Sequence, residues 1–122
     1  MKLWKIAKSE QIYRLAQNMV GYKAVGVTPE GVGYSLYGGQ DCVIDLTIGS
    51  WMSDCPTSRG FYLGSNAQYV LDYYSGLTDD EELLLTYEFG EEDLLSGDFG
   101  SAGGSELRVS RARLIDKKII NK

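Results

Sequence analysis

Residues 83–89 read Leu-Leu-Leu-Thr-Tyr-Glu-Phe, placing Leu83, Leu85, Tyr87 and Phe89 on one side and Leu84, Thr86 and Glu88 on the other. Period-two alternation marks a β-strand with one face in the core. The stretch 106–115, Glu-Leu-Arg-Val-Ser-Arg-Ala-Arg-Leu-Ile, alternates too, but slips register between Val109 and Ala112 as a β-bulge would. These two strands are expected to pair. Acids of the first then face Arg108, Arg111 and Arg113 of the second, each exposed pair contributing about 0.2–1 kcal/mol.

Working outward, Leu3–Ala7, Tyr22–Val27, Gly33–Tyr37, Cys42–Ile48 and Gly60–Leu63 read as further strands, with a polar loop at 49–59. A helix is predicted over 10–19, after Ser9, from the spacing of Ile12, Leu15, Ala16 and Met19. A second is predicted over 67–75, capped by Ser65 or Asn66, with Ala67, Val70, Leu71 and Tyr74 as its stripe. Glu91–Leu95 suits one helical turn, and 96–105 is a glycine-rich loop. The expected architecture is one α+β domain over 1–122, mostly antiparallel sheet with two or three short helices, frayed over 118–122.

Charge is segregated along the chain. Residues 1–40 carry a net +3, residues 41–106 a net −13, and residues 107–122 a net +5. Ten acids and no base fall between Asp72 and Asp98. An acidic middle repels phosphate, so direct nucleic-acid binding is not expected even though nine tyrosines are present. Tyrosines beside acids suit a protein interface. The start, MKLWKIAKSE, has no apolar run like that of a secretory signal, and no stretch approaches the ~20 apolar residues of a membrane span. The expected compartment is the cytoplasm, with Cys42 and Cys55 as reduced thiols.

The chain contains no histidine, which removes Ser–His and Cys–His nucleophilic catalysis. No glycine-rich segment is followed by the Lys-Ser/Thr of a phosphate-binding loop. Asp79-Asp80-Glu81-Glu82 lacks the alternation of a calcium loop, so no metal site is expected.

Four segments carry a resemblance: Gly-Tyr-Lys-Ala-Val-Gly at 21–26, Gly60–Tyr74, the run Leu84–Leu95, and 106–115. Together they are similar to small phage and prophage proteins, which share a strand, a Gly-Phe segment leading into a helix, and two closing strands of basic–apolar alternation. The resemblance implies a viral or mobile-element origin. Gly60–Tyr74 also resembles the strand-to-helix element of ADP-ribosyltransferase-like domains. That likeness implies NAD as cofactor, Glu106 as the catalytic glutamate, and Tyr34 and Tyr62 beside the nicotinamide. The chain departs from that family in lacking its histidine, its Ser-Thr-Ser triplet and its Glu-x-Glu or Gln-x-Glu motif.

The leading expectation is a small interaction protein without catalytic activity, of the anti-defence or anti-CRISPR type. It docks on a basic surface of a host protein, such as a nucleic-acid-binding complex, through Asp79, Asp80, Glu81, Glu82, Glu91, Glu92, Asp93 and Asp98. Four acids on an extended chain carry about half the linear charge density of duplex DNA. Mimicry of DNA therefore needs segments 79–82 and 91–93 side by side. The alternative expectation is an NAD-using transferase built on Glu106.

Overall fold

The computed structural model describes residues 19–36, 42–53, 60–97 and 103–120. Among the described residues, nine strands and one α-helix run in the order β1 (Met19–Val27), β2 (Gly33–Ser35), β3 (Val43–Ile44), β4 (Trp51–Met52), β5 (Phe61–Gly64), α1 (Ala67–Tyr74), β6 (Glu81–Phe89), β7 (Leu94–Ser96), β8 (Glu106–Val109) and β9 (Ala112–Ile119). The strands form one antiparallel sheet ordered β4-β9-β6-β1-β5-β8-β7, with β2 alongside β1 and β3 beyond it. β6 is the spine. It pairs along its whole length with β1, from Met19↔Phe89 to Val27↔Glu81, and on its other edge with β9.

The chain order requires this sheet to curl. β8 and β9 are four strand spacings apart, about 19 Å if the sheet were flat. Only Ser110 and Arg111 join them, and three Cα steps reach about 11 Å at most. The sheet therefore wraps toward itself around the face defined by Leu85, Tyr87 and Phe89. Val25, Phe61, Leu63, Leu107, Val109, Ala112 and Leu114 share that core. Phe61 and Tyr87 meet edge to face, with ring centroids 5.1 Å apart. Each fully buried side chain of this size contributes roughly 1.5–3 kcal/mol.

α1 lies on the opposite face, against β1 and β5. Asn66 caps it by accepting the Tyr69 N–H at 2.7 Å, and Val70 is its buried residue. Gly64 makes the close approach possible, because a Cβ there would sit 2.2 Å from Val70 Cγ2.

Several expectations are corrected. The domain is β-rich rather than α+β with two or three helices: 51% of the described residues are strand and 13% helix, with α1 the one α-helix among them. The predicted helix over 10–19 lies outside the described residues, except Met19, which begins β1. The predicted turn at 91–95 is a three-residue 3-10 helix, Glu91–Asp93, and Leu94–Ser96 is strand. Composition did not mark β4 or β7, which are only two and three residues long: β4 is defined by pairing with β9, some 60 residues away, and β7 by pairing with the next strand, β8.

The single strand expected over 106–115 is two strands, and only its second half joins β6. Their break at Ser110–Arg111 is the corner the curl requires. The bulge lies elsewhere, opposite Thr86 and Tyr87. Lys118 and Ile119, expected to fray, pair with Leu84 and Leu83. Cys42 is disulfide-bonded and buried in the core, so the expectation of reduced thiols fails. That expectation rested on compartment, which says nothing about local geometry. Cys55 lies outside the described residues.

Candidate functional site

The two acidic segments sit at opposite ends of β6. At its start, Glu81 pairs with Val27, and Val27 pairs with Gly33 across the β1–β2 hairpin. The hairpin turn is closed by the Gly31 N–H to Thr28 O at 2.8 Å and the Val32 N–H to Thr28 Oγ1 at 3.0 Å. It carries exposed Glu30 to the same end of the sheet as exposed Asp79 and Glu81. Leu77 and Val32 are also exposed there, at 58% and 44%.

Alternation turns the next acid inward. Glu82 is fully buried, and its carboxylate accepts the N–H groups of Gly76, Leu77 and Thr78 at 2.9, 3.1 and 3.4 Å. It holds the 76–78 loop instead of facing a partner. Tyr34 reinforces the loop. Its ring crosses Gly26, where a Cβ would come within 2.3 Å of Tyr34 Cζ, and its hydroxyl lies 2.7 Å from both Thr78 Oγ1 and Asp80 Oδ2. Asp80 is accordingly half-buried.

At the far end of β6, Glu91 and Glu92 are exposed and Asp93 is buried. Asp93 accepts from the Gly90 N–H at 3.2 Å, Ser110 Oγ at 3.1 Å and Arg111 Nε at 3.4 Å, pinning the β8–β9 corner. Glu88 accepts from Arg113 Nε at 2.8 Å. Arg111 and Arg113 thus neutralise acids at this end. Asp98 lies outside the described residues. The intervening strand spans about 26 Å at ~3.3 Å per residue, so segments 79–82 and 91–93 do not lie side by side.

The residues of the NAD alternative are only partly brought together. Tyr62 and Glu106 line one cleft with Tyr22, Lys23, Val70 and Tyr74, between α1 and the sheet. Tyr34 lies beside Gly26 instead, bonded to Thr78 and Asp80. The cavity measures about 20 Å³, space for a single water or so. A nicotinamide ring does not fit it, so no step through NAD is derived.

That cleft exposes one residue the sequence reading passed over. Lys23 occupies a core-facing position of β1, is only 5% exposed, and donates from Nζ to the Tyr62 carbonyl at 3.0 Å. Burial lowers its amine from 10.5 to about 8, with Glu106 pulling the other way. A lysine inside the apolar run Tyr-Lys-Ala-Val-Gly-Val was the available signal. Glu30 was missed because it lies more than forty residues from the other acids of its cluster.

Comparison with protein families, curated proteins and solved structures finds no match. No helix among the described residues is long and apolar enough to cross a membrane. No group of three metal-ligating side chains is assembled among the described residues.

Proposed function

We propose that the protein is a binding module of the host-defence-inhibitor type, and that it docks on a cationic surface of a nucleic-acid-binding host protein. The observation that carries this reading is the gathering of exposed Glu30, Asp79 and Glu81 with exposed Leu77 and Val32 at one end of the sheet. Clustered carboxylates steer encounter with a basic partner, and neighbouring exposed apolar side chains supply area to desolvate. The loop bearing Leu77 and Asp79 is held by Glu82 and Tyr34, so little ordering remains to oppose binding. The docking surface is smaller than the eight acids expected from sequence: Glu82 and Asp93 are structural, and Glu91 and Glu92 belong to the other end.

Labelled nona-arginine, followed by fluorescence anisotropy at 50 and 300 mM salt, tests the reading. Saturable binding should weaken about tenfold in Glu30→Gln/Asp79→Asn/Glu81→Gln, equivalent to about 1.4 kcal/mol, and fall with salt. Glu91→Gln/Glu92→Gln should bind like wild type. Equal losses from the two ends would reduce the effect to net charge and remove the proposal.

A further inference from the structure

β1 changes neighbour partway along its length. It meets β5 at Tyr22↔Gly64 and β2 from Val25↔Ser35 onward. Between these points the sheet forks, and Lys23 bridges the fork by donating to the Tyr62 carbonyl of β5 at 3.0 Å. Its ammonium also lies 5.1 Å from the Phe61 ring centroid. The cavity of about 20 Å³ opens beside this bridge, walled by Tyr62 and Gly64 of β5, Val70 and Tyr74 of α1, and Glu106 of β8. A nearly buried ammonium with a neutral carbonyl as its hydrogen-bond acceptor is poorly solvated. The cavity gives neighbouring side chains room to yield.

We propose that Lys23 is a proton-driven latch: uptake of a proton at its amine favours withdrawal of the side chain from the fork and opening of the cleft between α1 and β5, and loss of that proton closes it. Linkage sets the sign. The closed fork holds the amine near 8, and an open fork returns it to about 10.5. Across that window the open state binds more protons, so opening grows as pH falls. From pH 9 to pH 7 the increase is about tenfold on those two values.

The other titratable groups around the fork are Tyr62 on β5, Glu106 on β8, Tyr69 and Tyr74 on α1, Tyr22 on β1 itself and Tyr87 on β6. Burial pushes the Tyr69 and Tyr87 phenols above their ordinary value, helped by Glu106 and Asp45 respectively, so neither releases a proton between pH 7 and 9.

Amide hydrogen exchange of the full chain, read by NMR at pH 7, 8 and 9 and corrected for intrinsic rates, tests the latch. Tyr22, Gly64 and Val70 should open more readily than the β6–β9 ladder, and their opening constants should fall about tenfold from pH 7 to 9. In Lys23→Met the fork should show no such fall. Fork opening equal to that of the ladder, a wild-type fork indifferent to pH, or the same fall in Lys23→Met would each overturn the proposal. Lys23→Arg, charged throughout this range, is the second variant should Lys23→Met not fold. Its fork should stay open as pH rises, and a tenfold fall there overturns the latch equally.

Discussion

Glu81 and Glu82 are neighbours of one residue type at one end of β6, and Glu92 and Asp93 are neighbouring acids at the other. In each pair the first side chain stands in water while the second is buried under a loop or corner that it holds. An acidic run in sequence is therefore not a charged patch in space. Where the chain begins or leaves a strand, one acid of a run can be taken inside to satisfy backbone N–H groups, and only its neighbours remain for partners.

The comparison breaks most clearly at Glu82. Glu82→Ala leaves three loop N–H groups without their acceptor and should lower stability by about 3 kcal/mol in urea unfolding, whereas Glu81→Ala should stay within about 0.5 kcal/mol. Equal effects would erase the distinction between the two neighbours.

Lys23 sharpens it with a buried base. Its folded value of about 8 lies below the ordinary 10.5, so the associated stability is present at high pH and lost as pH falls through 8. The urea-unfolding free energy should rise by about 1.4 kcal/mol from pH 7 to 9 and stay flat in Lys23→Met over that window. Above pH 10 the raised Tyr87 phenol acts in the opposite sense, removing stability as the unfolded chain ionises.

At the far end, Asp93→Ala should cost about 1–2 kcal/mol in the same assay by freeing Gly90, Ser110 and Arg111. Glu92→Ala should again be near neutral. The smallest effect is expected at Tyr87, whose buried hydroxyl has no hydrogen-bond partner among the described residues. Tyr87→Phe should be neutral or stabilising by up to about 1 kcal/mol on thermal unfolding, and a clear loss would show that the hydroxyl is satisfied after all.

Sequence alone determined the elements whose evidence is local. The alternation of 83–89 marked a strand that proves to be the spine of the sheet, and a cap at Ser65 or Asn66 with the Val70 stripe marked α1; the structure selects Asn66. The absence of histidine by itself removes Ser–His and Cys–His catalysis. The tertiary structure alone decided what depends on contacts between distant residues: that 106–115 turns a corner at Ser110–Arg111, that two-residue β4 is a strand because β9 lies beside it, and that Glu30 joins Asp79 and Glu81 while Glu91 and Glu92 do not. The physical reason is that periodicity records which side of a strand faces apolar surroundings. It carries no record of which strands lie side by side, nor of which carboxylates are drawn in to hold the backbone that the curl of the sheet brings over them.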